Sequence, residues 1–229
     1  MKTQAMKCLV GVAVAALLAV AVPAQATVTV TVDPGLTWIG YMNVFNLPAP
    51  DGDGAFVFGQ PWGVADLTAV FSGPTLSLGA APINDPNEFW YVGTGNPGGP
   101  GVPGNKSMDA NMYVEDDTLV GETVTFQGVV TSNTLDSEYT SVAFIKDFAP
   151  DYSTFNVATF PLAPGPFSVS LATDPTSGRH VQFGFETVGR NVWPTDAASK
   201  GYVNVIAPEP TTLVLCLSCV GVVALRRRR

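Results

Sequence analysis

One histidine, no cysteine outside the two ends and a scatter of carboxylates bound the chemistry open to this 229-residue chain. His180 is the only imidazole, so multi-histidine zinc sites are excluded and any Ser-His-Asp arrangement would rest on one residue. Beside Arg179, at the head of a β-type run, it reads as a surface residue. Glycoside hydrolysis needs only two carboxylates. The Glu-x-Asp-x-x-Glu pattern that would set them on one strand face is absent, and no catalytic residue is expected.

Oxygen-rich turns are a better match to a hard cation. Asp51-Gly52-Asp53-Gly54 sets two carboxylates at alternate positions in a flexible turn, which makes Asp51 and Asp53 the candidate calcium ligands. The third acid and the distant Glu of an EF-hand are missing. Glu115-Asp116-Asp117, Asp85 to Glu88, and Asp136 with Glu138 are alternatives, and each also reads as a solvated turn. A sugar ring stacks on aromatic faces, and Trp38, Trp62, Trp90 and Trp193 are the candidate platform, with Tyr41 and Tyr91 beside them. Burial in a core is the competing fate of each.

These residues sit in a chain of short β-type runs broken by Gly, Pro, Asn and Asp. Period-two alternation marks Thr27 to Val32, Thr123 to Phe126 and Phe167 to Leu171. Further strands are expected over Trp38 to Phe45, Ala55 to Phe58, Leu67 to Phe71, Phe89 to Val92, Ala110 to Glu115, Val142 to Lys146, Val181 to Glu186 and Tyr202 to Ile206. No uncut amphipathic stretch of helical length interrupts them. The expected fold is all-β, an antiparallel β-sandwich of jelly-roll type. Asn96 to Gly104, rich in Pro and Gly, is expected to be a long surface loop.

Both ends differ from this middle. Lys2 and Lys7, the apolar run Leu9 to Val22 and Ala24-Gln25-Ala26 make a Sec-type signal peptide over 1–26, with its cleavage motif at Ala24 and Ala26. At the other end Pro208-Glu209-Pro210 precedes an apolar run, 211–225, and then Arg226, Arg227, Arg228 and Arg229. Fifteen residues make a helix of about 22 Å against a hydrocarbon core of about 30 Å, so this transmembrane segment is a marginal anchor with its arginines held on the inner side.

Between them, 27–207 forms one exported domain in which five basic residues face 18 carboxylates, a net charge of −13. That balance excludes nucleic acid and anionic lipid surfaces as partners. Cys8, Cys216 and Cys219 all lie in the end segments, so the domain folds without a disulfide.

The tripeptide, apolar run and terminal arginine cluster, in that order at 208–229, resemble the PEP-CTERM sorting signal. The resemblance implies recognition by exosortase, a membrane enzyme that cuts near the tripeptide, in bacteria that make exopolysaccharide. A second resemblance rests on three runs, Trp38 to Phe45, Asn105 to Glu115 and Gly121 to Gly128. These are similar to exported jelly-roll domains of the carbohydrate-binding-module and galactose-binding-like kind. Together they imply a non-enzymatic protein exported by the Sec machinery, processed by exosortase and associated with extracellular polysaccharide. A carbohydrate-binding module proper is the alternative, and a secreted glycan-active enzyme the third reading.

Overall fold

The computed structural model describes residues 25–92 and 98–208. Twelve strands run in chain order: β1 (Thr27–Thr31), β2 (Ile39–Asn46), β3 (Phe56–Trp62), β4 (Ala69–Ser72), β5 (Thr75–Gly79), β6 (Lys106–Glu115), β7 (Thr123–Asn133), β8 (Thr140–Phe148), β9 (Phe155–Pro161), β10 (Gly165–Ala172), β11 (His180–Arg190) and β12 (Tyr202–Ile206). Helical structure among the described residues is confined to three short 3₁₀ turns.

The strands form two sheets. The first has the order β3-β2-β6-β11-β8-β9, antiparallel throughout. The second runs β4-β5-β12-β7, with β10 along the other edge of β7. β1 pairs in parallel with residues 123–127 of β7, while β12 pairs with residues 129–133 of the same edge, so the first and last strands meet end to end.

Alternation along each strand explains the packing, because successive side chains point to opposite faces. From the first sheet Met42, Val44, Met108, Met112, Phe183 and Phe185 face inward, and from the second Leu76, Val124, Phe126, Phe167 and Val205 meet them. Phe126 lies 5.3 Å from Phe183 and 5.2 Å from Phe185, at the contact between layers. Each such ring contributes roughly 1.5–3 kcal/mol by leaving water. With no cysteine in the domain, this apolar layer carries its stability.

The expected sandwich is therefore present, with three local corrections. Phe89 to Val92 is not a strand: Tyr91 makes one isolated bridge to Gly104 and is otherwise a buried plug, its hydroxyl directed at the carbonyls of Ile83 and Val192. Its flanking backbone bonds, Asn105 N–H to the Trp90 carbonyl and Val92 N–H to the Pro103 carbonyl, extend no further among the described residues. Leu67 instead ends a 3₁₀ turn, Val64–Leu67, and β4 begins at Ala69. β5 and β9 are additional strands. Among the described residues no helix is long and apolar enough to cross a membrane; the signal segment through Ala24 and the apolar run 211–225 lie outside the described residues.

Candidate functional site

β6 is central to the first sheet, and its alternation divides its work cleanly. Met108, Ala110, Met112 and Val114 are buried in the core, so Asp109, Asn111, Tyr113 and Glu115 must stand on the outer face. Register then brings them neighbours. On β2, Asn43 pairs opposite Asp109, Tyr41 opposite Asn111 and Ile39 opposite Tyr113. On β11, Glu186 is opposite Asn111 and Gln182 opposite Glu115. β8 adds Lys146 and Phe148, and β9 adds Phe155, Val157 and Thr159. Together these side chains and Tyr152 line a groove of about 770 Å³ across the outer face of the sheet.

Its floor is a connected polar network. Asn43 Nδ2 donates to Asp109 Oδ2 at 3.2 Å, and Asn111 Nδ2 donates to Asp109 Oδ1 at 2.7 Å. Lys146 Nζ donates to Asn111 Oδ1 at 2.8 Å and to Glu186 Oε2 at 3.0 Å, while sitting 4.2 Å above the Phe144 ring. Gln182 Nε2 donates to Glu115 Oε2 at 2.8 Å. Burial, and next the charge of Glu186, push the Asp109 carboxyl up to about 6, with Lys146 and the two amides acting the other way.

The groove's flanks are aromatic. Tyr41 and Tyr113 stand on one side and Phe148, Tyr152 and Phe155 on the other. Phe148 holds Phe155 at 4.9 Å and Tyr152 at 5.5 Å between ring centroids. Tyr152 and Phe155 are about half exposed, an unusual state for rings that have a core available. Tyr152 occupies a left-handed backbone conformation, φ 57°, which a non-glycine residue adopts at a cost. Its ring lies flat on His180, 4.3 Å away and 5° from parallel, and its hydroxyl donates to Glu115 at 3.2 Å. Burial and then the charge of Glu115 raise the Tyr152 phenol to about 12, so it remains a donor at neutral pH. A polar floor between aromatic flanks can bind the hydroxyls and C–H faces of a sugar at once.

The residues singled out from sequence are distributed differently. Trp38 packs between the sheets against Phe71, Phe183 and Phe185. Trp90 lies against Phe58 and Phe89, Trp193 against Tyr91, and Trp62 against the core. The four tryptophans make no common platform, and none lines the groove; Tyr41 does. Asp51 pairs with Arg190 at 2.6 Å, whereas Asp53 accepts from Asn46 Nδ2 at 2.8 Å and from the Ala55 N–H at 3.0 Å. Those last two bonds, the Ala55 amide first, hold the Asp53 carboxyl below its usual range. The two carboxylates thus serve separate partners.

Ligand atoms of Glu115, Asp117 and His180 do converge, lying within 4.8 Å of one another at the end of the groove. Two carboxylates and an imidazole suit a zinc-type ion better than calcium, which takes oxygens alone. Of the sorting residues, Pro208 closes the described chain two residues after β12, while Glu209, Pro210 and Arg226, Arg227, Arg228 and Arg229 lie outside it. At the N-terminus Ala24 also lies outside, and the Ala26 carbonyl accepts from the Thr123 N–H at 2.8 Å.

Sequence reading missed Asp109, Asn111, Tyr113, Lys146, Tyr152, Phe155 and Glu186. The signal was present in β6, where polar and apolar residues alternate without a break from Ser107 to Glu115. A second cavity, about 520 Å³, is lined by Arg190, Trp193 and Lys200, but its cations are engaged by Asp51, Glu138 and Asp136. No family model, no curated protein and no solved structure matches this chain, so the groove is interpreted from its own residues.

Proposed function

We propose that this is an exported protein of the extracellular matrix or cell surface that holds polysaccharide in the groove on its β3-β2-β6-β11-β8-β9 sheet. The observation that carries the reading is the groove itself: a hydrogen-bonded floor of Asp109, Asn111, Lys146 and Glu186 between aromatic flanks, on a sheet face that no other sheet of the described residues covers. Core packing does not account for half-exposed Tyr152 and Phe155, whereas stacking on pyranose rings does.

The finer fold reading is a jelly roll of the galactose-binding, carbohydrate-binding-module-like kind. Its support is the interleaving of late strands among early ones, with β11 between β6 and β8, and β7 between β10 and β12. Export by the Sec machinery and processing by exosortase rest on the two end segments. β12, from which the tail continues, belongs to the sheet opposite the groove.

Affinity electrophoresis of residues 27–207 in gels cast with matrix polysaccharides tests the reading. Retardation that is lost in Tyr41→Ala and Tyr113→Ala is expected; migration equal to a polysaccharide-free gel for every polymer would overturn it. One observation favours hydrolysis as a second reading, namely the Asp109 carboxyl held near 6 beside Glu186, the state of a general acid. Release of reducing ends from a retained polymer decides between holding and cutting.

A further inference from the structure

We propose that the glycan taken by the groove carries free, protonated amino groups, as an N-deacetylated amino-sugar polymer does, and that Asp109 and Glu115 receive them. The inference rests on the reading of the groove as a glycan site.

Charge on the groove is lopsided. Three carboxylates, Asp109, Glu115 and Glu186, face one ammonium, Lys146. That ammonium is already engaged, donating to Glu186 and Asn111 at 3.0 and 2.8 Å. A uronic acid, sulfate or phosphate group would have to displace Glu186 from Lys146 and then sit among like-charged carboxylates, which opposes its binding. An anionic polymer is therefore disfavoured.

A neutral sugar meets a different difficulty. Asp109 accepts from the amides of Asn43 and Asn111, yet no Lys or Arg among the described residues reaches it as an ion-pair partner. Burial first, and then the charge of Glu186, raise its pKa to about 6, and the charge of Lys146 offsets only part of that rise. Glu115 likewise accepts from Gln182 and Tyr152 and, among the described residues, from no Lys or Arg. Hydroxyls would leave both carboxylates without a direct ion-pair partner, whereas an ammonium supplies a charge-assisted hydrogen bond and lessens the penalty. Tyrosine faces on the flanks also attract a cation by their ring quadrupole. The domain's net charge of −13 draws a polycation from a distance.

Isothermal titration calorimetry of the full chain in detergent, with glucosamine oligomers, their N-acetylated counterparts and uronic-acid oligomers of equal length, tests this. The expected result is that the glucosamine oligomer binds roughly tenfold tighter than either other, and that Asp109→Asn and Glu115→Gln each weaken it by roughly tenfold. Both substitutions are nearly isosteric. Affinity should also fall as pH drops through about 6, where Asp109, faced by Asn43, Asn111, Lys146 and Glu186, takes up its proton. Tighter binding of the acetylated or acidic oligomer, lost in Tyr41→Ala, would overturn the amine preference and leave the glycan site standing. Binding of the glucosamine oligomer that is unchanged in both carboxylate variants would reduce it to diffuse attraction and overturn the proposal. No binding of any oligomer would overturn both readings.

Discussion

Arg179 grips Asp147 at two points: its Nε donates to Oδ1 at 2.7 Å and its Nη2 to the Asp147 carbonyl at 2.7 Å. The Asp147 side chain is wholly buried, and its other oxygen accepts from the Asp174 N–H at 2.9 Å. β8 is thereby fastened to the loop that leads into β11. The hydrogen bond to Asp147 also raises the Arg179 guanidinium pKa, so the arginine keeps its charge. Arg179→Met leaves a buried carboxylate with no counter-charge, a change that costs about 3–5 kcal/mol when a buried pair is broken. Urea unfolding should show the midpoint fall with little change in slope, and a midpoint within error of the parent would contradict the role assigned to the pair.

Asp109 makes a pH prediction of opposite sign to that of an ordinary surface carboxylate. Its folded pKa lies above its ordinary value, so the folded state binds the proton more tightly and stability falls as pH rises through the interval from 3.8 to about 6. Once the group is ionised in both states the cost is up to roughly 3 kcal/mol, an upper figure because groove water screens the charge. Asp109→Asn should therefore be more stable than the parent at pH 7 and lose that advantage near pH 4. Thermal melts of the two proteins across this range measure the difference, and parallel curves would remove the desolvation argument.

How much of this was legible follows from where each signal resides. Alternation within a strand is local, so Thr27 to Val32 and Thr123 to Phe126 were readable and became β1 and part of β7. The groove is not local. It depends on register among β2, β6, β11, β8 and β9, and Lys146 meets Asn111 across an intervening strand, which no single window of sequence contains. Tryptophan was a misleading guide for the same reason: Trp38 is as aromatic as Tyr152, and only the assembled sheets decide which ring faces Phe183 and which faces open space. Asp51 and Asp53 sit two residues apart, yet the turn aims one at Arg190 and the other at Asn46.

That divergence bears on the calcium expectation. With each carboxylate satisfied separately, any calcium response of the domain should arise from screening of its net charge of −13 or from another cluster. Substituting Asp51 and Asp53 by Asn should leave the calcium-dependent rise in melting temperature unchanged, and any loss of stability should be small because both carboxylates are exposed. Differential scanning calorimetry in calcium chloride, against sodium chloride of matched ionic strength, is the measurement. A calcium-specific rise abolished in that double variant would restore the turn as a site.

β12 bears on where the tail could be cut without loss of the fold. This strand lies between β5 and β7, with Val203 and Val205 fully buried, and Pro208 follows its last residue by only two positions. Cleavage before Tyr202 would remove a strand from the middle of a sheet, whereas cleavage at or beyond Pro208 leaves every described strand intact. The product released by an exosortase should therefore end near Pro208 to Pro210 and melt at the same temperature as residues 27–207. Replacing Pro208-Glu209-Pro210 by Ala should leave a full-length, membrane-bound chain. Replacing Arg226 to Arg229 by Ser should let the short apolar run slip or mis-insert, because about 15 residues anchor poorly without an inner charge stop. Mass spectrometry of C-terminal peptides from membrane and secreted fractions of an exosortase-bearing host reads all three. Mature surface protein that still ends in Arg229 would show that the segment is a plain anchor and not a processing signal.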